Sequence, residues 1–397
     1  MLFALLGDHP DGLEMTRALV ATGRHQLALY HGPAVGAEFL RRWGVKAETV
    51  GDMEEALADP RIEAVIVGGR LDERPGQLRR ALQSERHVLC VHPADMAPDI
   101  AYEAAMIQGD TRRVLLPLLP ESLHPGVRRL AEIGRNEALL GDRRLIETER
   151  AAPDPVLIDE GRAEGKVSVP GWDVLRVVGG EIAEVSGFAP AEHLCADQPA
   201  LLAGAFEGGQ LFRAAYLPGQ HESSLRLAAA GSYARAELVF AGGWPGPATL
   251  KWQDETGTTH AETYEAWNPW LPVIEAFELA VAERSAAPSS GNLSETFSWQ
   301  SEIRALELDD AARRSVERRR VSVLEYPEAT EATGFKGTMT LVGCGLIWVI
   351  LILLILSRWF PTLGWVILPV LLFFLGLQVL RWLVPAAEEQ DESTPST

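Results

Sequence analysis

The residues Gly7-Asp8-His9-Pro10-Asp11-Gly12 follow the apolar run Leu2 to Leu6 and precede a helical pattern. A glycine turn between strand and helix can seat the diphosphate of a dinucleotide. The first Gly permits the bend, the second lets backbone approach phosphate, and the third lets helix and strand pack closely. Here the first and third are present and His9 takes the second place, so an imidazole stands where bare backbone would meet phosphate. Read without chemistry, Gly7 and Gly12 are packing glycines. The second apolar run ends at Tyr30-His31-Gly32, with no carboxylate to hold ribose hydroxyls. Other chemistries have less support. The nine histidines show no HxxxH or HExxH spacing, and no GxSxG elbow occurs. Cys90, Cys195 and Cys344 are far apart with no CxxC, so neither a disulfide framework nor a metal site is expected.

The elements that must position the turn alternate regularly. Leu13 to Ala21 reads as a helix closed by Gly23, and Gln26 to Tyr30 as a second strand. Ala64-Val65-Ile66-Val67 is a buried parallel strand ending at Gly68-Gly69. His87 to Val91 and Val114 to Leu118 are further strands, with helical stretches between them. This predicts an α/β fold, with a Rossmann-like doubly wound parallel sheet over residues 1–119. Beyond Pro120 the strands succeed one another, and helices return only at Pro125 to Ile133, Pro269 to Arg284 and Ser298 to Arg318. Residues 120–324 therefore read as a second α+β domain with a mostly antiparallel open sheet. Trp267, Trp270 and Tyr264 form either a sugar-stacking face or a core cluster at a helix start. A formal charge of -19 argues against a nucleic-acid partner, which needs a basic face.

Several stretches, in order, resemble the glucose-fructose oxidoreductase/inositol dehydrogenase (Gfo/Idh/MocA) family. They are Asp59-Pro60-Arg61-Ile62-Glu63-Ala64-Val65, Arg86-His87-Val88-Leu89-Cys90-Val91-His92-Pro93, Trp172-Asp173-Val174-Leu175-Arg176 with Gly180-Glu181-Ile182-Ala183-Glu184-Val185, Phe206-Glu207-Gly208-Gly209 and Ile274-Glu275-Ala276-Phe277. The resemblance covers about residues 1 to 323. It implies hydride transfer between NAD or NADP and a sugar or polyol carbon, with Gly7, His9, Gly12, Gly68 and Pro93 as the positions meeting the cofactor. It also implies a homodimer through the open sheet. The family's proton relay uses the Lys of Glu-Lys-Pro, plus an Asp and a His four residues apart. Here Val91-His92-Pro93 replaces the first motif, and the second falls on Lys166 and Pro170 when Asp173 is the anchor. His92 is then the candidate acid or base, or a capped loop histidine. Lys166 is a candidate general acid, or part of an exposed turn.

At the other end, Met339 to Leu356 and Leu363 to Leu380 are uncharged runs of a length that spans a bilayer. With Ser357 to Thr362 between them, residues 338–383 read as a transmembrane hairpin, after a linker over 325–337 and before an acidic disordered tail over 384–397. Arg318, Arg319, Arg320, Lys336 and Arg381 lie on one side and Arg358 alone in the turn. The positive-inside rule then places the folded domains at the cytoplasmic face of the inner membrane. Two hypotheses follow: a membrane-anchored NAD(P)-dependent oxidoreductase acting on a sugar-like or polyol substrate, or a catalytically inactive sensor or scaffold on the same fold.

Overall fold

The computed structural model describes residues 1–158, 167–254, 256–285, 297–320 and 322–323. Lys166, the linker, the expected hairpin and the acidic tail lie outside the described residues.

The first sheet is parallel throughout. Its strands are β1 (Leu2–Leu6), β2 (Gln26–His31), β3 (Glu48–Thr49), β4 (Ala64–Val67), β5 (His87–Val91) and β6 (Leu115–Leu118), in the order β3-β2-β1-β4-β5-β6. The connecting helices are α1 (Pro10–Ala21), α2 (Ala34–Arg42), α3 (Met53–Ala58), α4 (Arg74–Gln83) and α5 (Pro98–Thr111). Strand order reverses between β1 and β4, and at such a switch point open α/β sheets bind ligands beyond the strand ends. The strands are apolar on both faces because both faces are covered. Phe3, Leu5, Ile66, Leu89 and Val91 pack on one side, and Ala4, Leu6, Val65, Val67 and Val88 on the other.

The second sheet has nine strands: β7 (Arg143–Ala152), β8 (Ile182–Phe188), β9 (Ala200–Phe206), β10 (Leu211–Pro218), β11 (Ser224–Gly231), β12 (Arg235–Phe240), β13 (Ala248–Gln253) and β14 (Thr259–Tyr264), with β15 (Ser322–Val323) pairing on β8. The order is β14-β13-β12-β11-β7-β10-β9-β8-β15. It is antiparallel as expected except where β10 runs parallel to β7. One face is packed by α6 (Pro125–Arg135), α7 (Glu137–Leu140) and α8 (Trp172–Gly179). The opposite face carries exposed Phe188, Leu201 and Leu211.

Two late helices bind the halves together. From α9 (Trp270–Ser285), Trp270, Val273, Ile274 and Phe277 enter the core of the first sheet beside Phe3. The next helix, α10 (Trp299–Arg318), divides its surface. Trp299, Ile303 and Leu306 join the first sheet's core, whereas Ala305, Leu308, Ala312 and Val316 join the second's. Between those two apolar stripes runs a buried polar one: Glu302, Asp309 and Arg313.

Candidate functional site

The glycine turn is built as the fold requires. Gly7 has φ +96°, and a Cβ there would lie 2.2 Å from Gly68 O and 2.3 Å from Gly69 Cα, so only glycine fits between the ends of β1 and β4. At Gly12 an added Cβ would meet Gly68 Cα, Leu5 Cδ1 and Val91 Cγ2 at 3.6 Å, which is ordinary contact. Gly12 is therefore not demanded by packing.

A bound diphosphate would need free amides at the N-terminus of α1. Pro10, the first helical residue, has no N–H. The amide of Asp11 donates to His9 Nδ1 at 3.2 Å, so the imidazole caps the helix, and the His9 amide donates to Gly68 O at 3.0 Å. The carboxylates of Asp8 and Asp11 add negative charge to the turn. Near the end of β2, Tyr30 is buried and donates its hydroxyl to Pro33 O at 2.8 Å. Burial, then the Asp8 charge, holds that phenol well above its usual range. Gly32 and Gly36 leave room for the phenol; a Cβ at either would come within 2.6 or 2.1 Å of its oxygen.

The backbone at the ends of β4 and β5 is also taken by the chain itself. Arg74, fully buried, donates from Nε to Gly69 O at 3.1 Å and from a terminal nitrogen to Pro93 O. Gln77 Oε1 accepts the Gly69 amide at 3.0 Å. The residues present at Gly7, His9, Gly68 and Pro93 thus do not fit a nicotinamide dinucleotide in the usual seat of this fold.

His92 leaves β5 at a cis peptide bond to Pro93 and is 6 % exposed. Both ring nitrogens are engaged. Nδ1 lies 2.8 Å from Glu302 Oε2, and Nε2 lies 3.3 Å from Ser168 Oγ. Ser168 donates to Asp309 Oδ2 at 2.5 Å, and Glu302 Oε1 accepts the Ala94 amide at 2.7 Å. Asp309 Oδ1 accepts from the Val169 amide at 2.9 Å and from Trp172 Nε1 at 2.7 Å. Arg313 donates to Met96 O at 2.7 Å and Val167 O at 3.3 Å. Burial pulls the His92 pKa down, but the facing Glu302 and then Asp309 outweigh it, and the ring is held protonated above its ordinary range. Burial also raises Asp309, which Arg313 and His92 oppose. The polar stripe of α10 therefore ties the loop after β5 to the segment that enters α8. His92 is thus a buried histidine with both ring nitrogens in hydrogen-bond contact, Nδ1 with Glu302 and Nε2 with Ser168.

A second buried set adjoins the first. Arg150 pairs with Glu121 at 2.6 Å, Tyr216 donates to Pro170 O at 3.0 Å, and Asp173 Oδ2 accepts the Ser122 amide at 3.0 Å. Burial, then the Glu121 charge, pushes Asp173 up to about 6. The folded state then keeps a proton that the unfolded chain releases near pH 4, so stability falls as pH rises from about 4 to 6. Asp173→Asn keeps an acceptor for Ser122 and removes that ionisation. The difference in unfolding free energy between variant and parent, from urea melts at pH 4.5 and 7.5, should move in the variant's favour by roughly 2 kcal/mol at the higher pH. An unchanged difference would contradict the buried, proton-holding state.

The aromatic cluster is organised around a residue that the sequence did not single out. His124 is fully buried, its Nδ1 accepts the Gly126 amide at 3.0 Å, and burial lowers it to about 4. Ring centroids of Phe240, Trp267, Tyr264 and Trp244 stand 4.9, 5.0, 5.6 and 5.7 Å away. Accepting at Nδ1 places the proton on Nε2, which has no hydrogen-bond partner among the described residues. Trp270 belongs instead to the core of the first sheet. These rings pack inward, as a core cluster does.

No protein-family model matches the sequence, and no curated protein does. Solved structures do resemble it. Levoglucosan dehydrogenase in complex with NADH and levoglucosan aligns over 82% of this chain and 100% of its own, with 14% identity and a TM-score of 0.66. GenD2 from gentamicin A biosynthesis, in complex with NAD, covers 82% and 97% with 16% identity and a TM-score of 0.65. UDP-N-acetylglucosamine 3-dehydrogenase GnnA from Acidithiobacillus ferrooxidans covers 80% and 98% with 18% identity and a TM-score of 0.63. Such identities establish the fold alone: this chain shares the fold of these neighbours, which are Gfo/Idh/MocA-type dehydrogenases.

Proposed function

We propose that the chain is a binding or scaffold module on the dehydrogenase fold, tethered to the inner membrane with its folded domains at the cytoplasmic face, and that it has given up nicotinamide redox chemistry. The observation that carries this reading is the self-capped start of α1, where Pro10 lacks the amide and His9 takes that of Asp11. The bound state of His92 supports it, because the residue standing at the family's lysine position is buried with both ring nitrogens in hydrogen-bond contact. The two uncharged C-terminal runs support the tether. Exposed Phe188, Leu201 and Leu211 on the open sheet face support a homodimer there.

A second reading, an NAD(P)-dependent oxidoreductase acting on a sugar-like or polyol substrate, is favoured by the tight Gly7 to Gly68 approach and by neighbours solved with NAD or NADH. Titrating the full chain, solubilised and shown to be folded, with NADH and NADPH separates the two. Nicotinamide fluorescence and calorimetry should register no binding up to millimolar nucleotide. Micromolar binding would overturn the first reading and restore the second, with His92→Ala as the first variant to assay.

A further inference from the structure

The outward face of α2 carries Glu38, Arg41 and Arg42, but one flank beside it is apolar and partly exposed. Val35 and Phe39 are 62% and 40% exposed, and Trp43, just past the helix, is half-buried; the three fall at intervals of four residues, along one stripe. The buried residues of the helix, Gly36 and Leu40, lie on another face. Arginines cover the rings: Arg42 lies 5.9 Å from the Phe39 centroid and Arg17 5.0 Å from that of Trp43. Arg41 and Arg42 share the single carboxylate of Glu38, at 2.7 and 3.0 Å, and Arg17 pairs with Glu14. These three arginines and two glutamates leave the patch one net positive charge on a chain of formal charge -19. A groove of about 630 Å³ lined by Ala37, Leu40 and Arg41 lies on the opposite flank of the helix and takes no part in the stripe.

We propose that this stripe is a docking surface for an anionic lipid bilayer, with Val35 and Phe39 entering the interfacial zone beside Trp43, and Arg17 and Arg42 meeting headgroup phosphates. Apolar and aromatic side chains flanked by arginine are the composition that lies in a membrane interface. A second copy of the chain is the weaker occupant. Three side chains of a nine-residue helix fall far short of the roughly 20–30 residues a side of a stable interface. A bilayer contact needs much less, because the inference rests on the tether proposed above, and a tethered surface meets its membrane at high effective concentration. In an otherwise acidic protein, a positive patch also selects the face turned towards anionic lipid.

The test uses the full chain in nanodiscs, with p-benzoylphenylalanine replacing Phe39 or, as a control, Met106, which is 73% exposed on α5. Irradiation should give lipid adducts at position 39 and few at 106. Phosphatidylserine in place of phosphatidylcholine should raise the yield about fivefold, the factor for one cation near an anionic surface. Arg17→Glu with Arg42→Glu should abolish that increase. A chain that enters nanodiscs but gives no lipid adduct at 39, or gives chain-to-chain adducts there, overturns the docking surface alone. A folded chain that never enters nanodiscs overturns the tether, and the docking inference with it.

Discussion

Glu302→Ala should lower the stability of the folded unit by roughly 3–5 kcal/mol, the cost of leaving a buried charge without its partner. Glu302 is fully buried and serves two groups, the His92 ring at Nδ1 and the Ala94 amide. Alanine leaves both without their acceptor in a space closed to water. Glu302→Gln keeps an acceptor and the side-chain shape while removing the charge, so it should cost less. The two variants also separate charge from packing by their pH dependence. The folded-state pKa of His92 is raised, so its pairing stabilises the fold fully below the unfolded value of about 6.5 and is lost as pH rises through the folded pKa. The gap between parent and Glu302→Gln should therefore shrink above neutrality, whereas the packing loss in Glu302→Ala should persist. Denaturant melts from pH 6 to 9 would show this. A gap independent of pH would mean that His92 is not held as a cation.

Gly7→Ala is the second large effect. The added Cβ would overlap Gly68 O and Gly69, both backbone, at a φ of +96° that alanine resists. The strained conformation costs about 1–3 kcal/mol and overpacking about as much again, so roughly 2–6 kcal/mol is expected, enough to lower soluble yield sharply. Gly12→Ala is the matched control. It adds a methyl at ordinary contact distance inside α1, where alanine is the better helix former, and should be neutral or stabilising by about 0.5–1 kcal/mol. Equal damage from both substitutions, measured by thermal melting, would rule out the packing account of this turn. The contrast bears on function too. The glycine that the fold needs is kept, and the position that phosphate needs bare is His9.

The parallel sheet was legible because its strands are buried on both faces and read as short, continuous apolar runs between helical stretches. Strand β14 escaped notice because Thr259, His260, Ala261, Glu262, Thr263 and Tyr264 lie at a sheet edge, where burial imposes only a faint alternation. Helix α8 was missed because eight residues rich in valine carry no clear helical period against strand-like composition. The site was half legible. His92 stood out by its place after β5, but its partner Glu302 is 210 residues away. On sequence alone Glu302 and Asp309 look like the charged positions of any amphipathic helix. Their burial comes from α10 lying between two sheets at once, a tertiary fact that no local pattern records. His124 was hidden for a similar reason, since its aromatic neighbours come from two segments more than a hundred residues further along the chain.

The late helices have a consequence for how the protein is made. The core of the first sheet is finished by Trp270, Phe277, Trp299 and Ile303, encoded long after β6. At a synthesis rate of about 5–20 residues per second, the ribosome needs roughly 10–40 seconds after β6 to deliver them. Through that interval the nascent N-terminal sheet presents bare apolar faces, so a ribosome-stalled chain ending near residue 260 should recruit chaperones and be cut readily by protease, and one extended past Arg318 should resist.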